Sequence, residues 1–260
     1  MNIKRIFPLI EFLKINKKTI ICLLCSVSVI CFFIIKNLPD WASVTVTFLA
    51  IVVALFQKQI IGWFFAPKLK VTINNDQPNC VKTKGRAILN NQSLEIWYYY
   101  LRIWIENFGK INVENVEVFL SKVLLKNADG EYRKIEPFSP MNLKWSYYNK
   151  IYFEGISPET GRHCDIAHII EPKYRIRHDS SFNVNLPNCS KDETILELDL
   201  EVSPNTNIHL LKSGNYRLEI KIVASNAKTV YKTIEINHTG KWVDDENKMF
   251  SEFLNIQDIC

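Results

Sequence analysis

Glycine is scarce, with 8 in 260 residues. Loops that cradle phosphate need glycine at fixed offsets, and neither a Walker loop nor a dinucleotide-binding glycine pattern is present. No Gly-x-Ser-x-Gly elbow occurs, so no Ser-His-Asp hydrolase is signalled. Beyond the first apolar run, Cys80, Cys164, Cys189 and Cys260 form no Cys-x-x-Cys pair. Two long apolar runs near the N-terminus lack Asp, Glu, Arg and His altogether. That absence excludes a visible proton relay or ion-coupled transport site within them. A basic excess is also missing downstream. Residues 1–70 hold nine Lys/Arg against Glu11 and Asp40, while the rest holds 23 basic and 25 acidic residues. Nucleic acid as a direct partner is therefore disfavoured.

The first run, Thr19 to Ile35, is 17 residues without a charge, near the lower limit for crossing a bilayer. The second, Trp41 to Phe56, continues past Lys58 to Phe65. Trp41 and Trp63 suit the two interfaces, and Lys58, with Lys17 and Lys18 before the first run, suits the headgroup level. Only Lys36-Asn37-Leu38-Pro39-Asp40 separates the runs, which predicts an antiparallel transmembrane hairpin over 19–66, with spans about 19–36 and 41–65. The Lys/Arg distribution places both termini, and the downstream domain, on the cytoplasmic side of the inner membrane. A cleaved signal peptide is the competing reading, but no small-x-small cleavage site follows the first run. Residues 1–18 mix apolar and basic side chains and read either as a helix lying in the interface or as a frayed leader. Ser43, Thr47, Ala50 and Ala54 form a stripe of small residues on the second span. Such a stripe serves close packing within the hairpin or self-association between copies.

Pro67 ends the helical pattern, and alternation replaces it. Strands are expected at Val71–Ile73, Tyr98–Asn107, Val113–Leu125, Tyr132–Ile135, Arg162–Ile170, Ile195–Val202, Asn215–Ala224 and Val230–Ile236. Residues 75–95 and 171–190 read as long loops, and Asp244–Ile256 as a short amphipathic helix in a tail over 241–260. The expectation for 67–240 is an antiparallel two-sheet sandwich, so the whole is a membrane-anchored, mainly β protein.

Two stretches carry a resemblance. Gly214-Asn215-Tyr216 leads into the alternating Arg217-Leu218-Glu219-Ile220. This resembles the tyrosine corner of immunoglobulin-like sandwiches, with Tyr216 as the structural tyrosine. Leu101 to Val118, with Asn107-Phe108-Gly109 followed by Val113-Glu114-Asn115-Val116-Glu117-Val118, resembles the hairpin of CARDB-type immunoglobulin-like domains. The resemblance implies a binding or spacing role and no catalytic residues. Two spans followed by a cytosolic β domain are also similar in layout to membrane effectors of prokaryotic antiviral systems, in which a triggered domain makes the spans cluster.

Chemistry-bearing candidates are few. His163-Cys164-Asp165-Ile166-Ala167-His168, with His178, is the one cluster of ligand-capable residues. Strand alternation would put His163 and Asp165 on one side and Cys164 and His168 on the other, so neither metal nor cofactor is expected. Arg175, Arg177 and His178 form a basic run beside Tyr174; it reads as a ligand or partner contact or as a solvated loop. Trp242 reads as a partner contact or as an anchor for the last helix. A disulfide between Cys80 and Cys189 would need an oxidising compartment, and the topology argues for reduced thiols. The reading that results is a non-enzymatic membrane sensor or interaction protein whose partners are lipid, another protein and further copies of itself. A static scaffold and a metal-dependent enzyme are the alternatives.

Overall fold

The computed structural model describes residues 40–89, 92–148, 150–174, 190 and 192–259, with side chains undescribed at 40, 58–65, 86–89 and 92. The first expected span, the segment 1–18, Lys17, Lys18, Arg175, Arg177, His178 and Cys189 lie outside these residues, as do the side chains of Lys58 and Trp63. The chain divides into two compact units, Met1–Ile61 and Gly62–Cys260.

Helix α1 spans Asp40–Phe65 (26 residues), and its part up to Ile61 is what is described of the first unit. Its side chains are described from Trp41 to Gln57. Among the described residues, no helix is long and apolar enough to cross a membrane.

The second unit is mainly β, with every strand pair antiparallel. Its strands are β1 (Leu69–Thr72), β2 (Cys80–Leu89), β3 (Gln92–Asn107), β4 (Val113–Lys126), β5 (Tyr132–Lys134), β6 (Met141–Asn142) and β7 (Tyr152–Ile156). They continue with β8 (Thr160–Ile170), β9 (Leu196–Leu198), β10 (Leu210–Leu211), β11 (Gly214–Val223), β12 (Val230–His238) and β13 (Leu254–Ile259). The first sheet runs β1-β3-β8-β9-β10, with β2 also on β3; the second runs β13-β12-β11-β4-β5, with β6 and β7 also on β4. Both sheets feed one apolar core. Tyr99, Leu101, Ile103 and Ile105 of β3 enter it from one side, and Leu218, Ile220 and Ile222 of β11 from the other.

Alternation dictates these faces, and its breaks mark bulges. On β4 the buried positions run Val116, Val118, Leu120 and then Val123. The three-residue step coincides with a register shift against β11 between Glu219 and Ile220, which restores the apolar face after one extra residue. On β8 a shift lies opposite Leu101 and Arg102, where Ala167 pairs with Leu101 and Asp165 with Arg102. Ile166 is the extra residue, and both it and Ala167 are buried.

Two expectations are corrected here. Residues 80–89 are not loop: β2 pairs with β3 from Cys80↔Leu101 to Leu89↔Gln92. The C-terminal tail is not one amphipathic helix. A single α turn, α2 (Glu246–Lys248), capped by the Asp245 carboxylate, passes into a π turn over Met249–Phe253. β13 then pairs with β12 from Leu254↔His238 to Ile259↔Thr233. The spacing of Met249, Phe250, Phe253 and Leu254 suits a helix, but Leu254 and Ile256 bury as alternate residues of an edge strand.

Between β6 and β7 the chain crosses from the second sheet to the first. Asn142 and Met141 pair with Phe119 and Leu120, Leu143 bridges to Leu200, and Trp145 bridges to Cys164. This crossing sets the turn at 146–148 against β8.

Candidate functional site

The outward face of the first sheet carries the polar and aromatic residues that the core excludes. Alternation on β3 turns Tyr98, Tyr100, Arg102 and Trp104 away from the core. Opposite them on β8 stand Ile170, His168, Asp165 and His163. The expected separation of Asp165 from His168 fails because the bulge at Ile166 inverts the parity, bringing both onto this face.

Arg102 is 5 % exposed and its Nε donates to Asp165 Oδ1 at 2.7 Å. The Ser146 hydroxyl donates to the same oxygen at 2.5 Å. The Arg102 guanidinium lies 4.9 Å from the centroids of both the Tyr100 and Tyr147 rings, and its Nη1 donates to Tyr147 Oη at 3.2 Å. Burial and the Asp199 carboxylate hold the Asp165 carboxyl above its usual range, against the pull of Ser146 and Arg102. His168 Nδ1 lies 3.0 Å from Asp199 Oδ1, and its Nε2 lies 3.6 Å from Glu197.

His168 and His238 make opposite contributions to stability. Burial alone would lower the His168 imidazole, but Asp199, then Glu197 and Asp165, raise it to about 9. His238 donates from Nδ1 to Lys212 O at 3.1 Å and accepts the Thr194 hydroxyl at 2.8 Å on Nε2. Burial pushes it down to about 4. The unfolded chain releases the His168 proton near 6.5. Its stabilisation is therefore complete below that pH and is lost as pH rises through about 9. His238 stays neutral in the fold while the unfolded chain binds a proton, so stability falls as pH drops from about 6.5 toward 4. Denaturation midpoints of the full chain should peak near pH 6.5. His168→Gln should flatten the alkaline limb, worth about 3 kcal/mol, and leave the acid limb in place. A wild-type curve level between pH 6.5 and 9 would contradict the assignment.

Beside this network, the crossing segment and β7 wall a hollow of about 480 Å³ against β3 and β8. Its lining includes Trp104, Trp145, Tyr147, Tyr148 and Phe153, with Ser146, Arg162 and His163. A Cβ on Gly161 would run into the Trp104 indole. The bare backbone there is what lets that ring lie flat, with the His163 ring 4.6 Å away. Burial, and then Arg102, hold the His163 imidazole below its usual range. The Arg162 guanidinium lies 5.2 Å from the Phe153 ring centroid, and Lys150 Nζ 5.1 Å from that of Tyr148. Trp145 is 1 % exposed, and among the described residues its Nε1 has no hydrogen-bond partner. Tyr147 is 87 % exposed with φ at +64°, a conformation a bulky side chain rarely adopts.

The residues singled out in the sequence fall elsewhere. On α1, Thr47 Oγ1 donates to Ser43 O at 2.8 Å; Thr47, Ala50 and Ala54 are exposed, and Trp41 is 74 % exposed. Trp242 packs 4.7 Å from the Tyr99 ring and donates to Asp244 at 3.2 Å, where it anchors the C-terminal segment. Tyr216 is buried and its hydroxyl donates to Lys212 O at 2.9 Å. Cys80 and Cys164 are free buried thiols, and burial first of all pushes both upward, Cys80 to about 12. Among the described residues, no group of three or more His, Cys, Asp and Glu is placed to hold a metal ion.

Sequence reasoning overlooked the hollow, although five of the nine residues from Trp145 to Phe153 are aromatic. That density in a segment too irregular for a core strand was the available signal. No protein-family model matches this chain, and no curated protein matches it.

Proposed function

We propose that this chain is a non-enzymatic, membrane-tethered recognition protein. α1, as the second arm of a transmembrane hairpin, holds an immunoglobulin-like β unit on the cytoplasmic side of the inner membrane. Engagement of that unit clusters the hairpins through Ser43, Thr47, Ala50 and Ala54, with loss of membrane integrity as the output. The carrying observation is on α1. Trp41, Val44, Phe48, Leu49, Ile51, Val53, Leu55 and Phe56 are all between 51 % and 74 % exposed. A contiguous apolar surface of that kind is unfavourable in water and natural in lipid. The β unit meanwhile has an apolar core built from its own residues. On the outward face the carboxylate and imidazole groups are tied into ion pairs and hydrogen bonds, which suits recognition rather than turnover.

The test is forced association. The full chain is fused to an inducible dimerisation domain and expressed in cells carrying a membrane-potential dye. Dimerisation should collapse the potential, and bulky replacements such as Ala50→Leu with Ala54→Leu should protect it. An unchanged potential on dimerisation would remove the clustering reading and leave a static tether.

A further inference from the structure

We propose that the aromatic hollow binds a free nucleotide, a ligand that joins a planar ring to negative charge. The inference rests on reading the β unit as the recognising part of the chain.

The rings select for a planar partner. Trp104, held flat over Gly161, and the exposed Tyr147 offer faces on which a base stacks. Tyr147 keeps its unfavourable backbone conformation because Arg102 holds both its ring and its hydroxyl. The ring therefore stands at the mouth of the hollow instead of collapsing onto it. The volume, about 480 Å³, falls within the range of small-molecule sites.

The charges select for an anion. Aromatic cages also hold quaternary ammonium groups, but here the rings already carry cations. Arg162 covers Phe153, Lys150 covers Tyr148 and Arg102 covers Tyr147. Among the described residues, no carboxylate lines the hollow. Asp165, which the lining Ser146 bonds, is already engaged by Arg102. A cation would meet like charge, whereas a phosphate would find the Arg162 guanidinium.

The test uses the full chain in detergent micelles. Tryptophan fluorescence and calorimetry are followed as AMP, GMP, CMP and UMP are added. The four matching nucleosides, inorganic phosphate, tetramethylammonium and a single-stranded oligothymidylate are the comparison probes. At least one mononucleotide should bind, one molecule per chain, with its nucleoside and phosphate each weaker by about tenfold or more. Arg162→Gln should weaken that nucleotide about tenfold and leave the nucleoside unchanged. Tyr147→Ala should weaken both about equally, with an unaltered melting temperature showing that the fold survives. Four results would each overturn the proposal: no mononucleotide binds; the nucleoside binds as well as the nucleotide; tetramethylammonium binds in its place; or the oligothymidylate binds more tightly than every mononucleotide, which would make a strand the source of the base. A chain that fails here yet collapses the membrane potential on forced dimerisation loses only this inference.

Discussion

Arg102→Met is expected to lower the unfolding free energy by about 3–5 kcal/mol at neutral pH. The guanidinium is buried between two aromatic rings and, among the described residues, is the cation paired with Asp165. Its removal strands a carboxylate that burial and Asp199 already disfavour in the ionised form. The deficit should shrink as pH falls, because the stranded Asp165 takes up a proton. A double replacement, Arg102→Met with Asp165→Leu, should recover most of the loss, since an apolar pair has no charge to leave unsolvated. Denaturant titration of the three proteins decides the matter. If the double variant is as unstable as the single one, the loss comes from packing against Tyr100 and Tyr147 and the electrostatic account is wrong.

Asn107→Leu should cost about 3 kcal/mol for a different reason. Asn107 is fully buried at the end of β3. Its Nδ2 donates to Ile111 O at 2.7 Å and Ile156 O at 2.9 Å, and its Oδ1 accepts Gly109 N–H at 2.9 Å. Leucine has nearly the same size but takes the Asn107 partner away from two carbonyl groups and one amide. The same turn receives the incoming chain. Phe108 N–H donates to Lys68 O at 3.0 Å, and a Cβ on Gly109 would strike the backbone of Pro67 and Lys68. Amide exchange at Gly109 should accelerate with the loss of stability. Asn107→Asp should be no better than leucine, because it keeps the acceptor but turns a carboxylate toward two carbonyl oxygens. A melting temperature close to wild type in either variant would contradict this role.

That Asn-x-Gly turn was legible in the sequence because its chemistry is local: one side chain closes the loop that follows it. β3, β4, β11 and β12 were legible for a related reason, since one face of each is buried and alternation records it. Even the bulge of β4 is written in the step from Leu120 to Val123. The bulge of β8 is not. Ile166 and Ala167 are both apolar, so nothing local reveals which of them is extra, and the error moved His168 to the wrong face. β2 escaped for want of alternation. It lies at the side of the sheet, where Lys82 and Lys84 pass over the Trp97 ring at 5.0 Å each, and its polar sequence reads as loop. The hollow was hidden by topology. Trp104 and Trp145 are 41 positions apart, and only the crossing from the second sheet to the first brings them together.

All of the functional reading depends on lipid surrounding α1. Fractionation of cells expressing the intact chain, followed by an alkaline carbonate wash, measures this most directly. The account predicts that the chain stays with the membrane pellet through the wash and is released by detergent alone. Intact chain in the soluble fraction without detergent would contradict it.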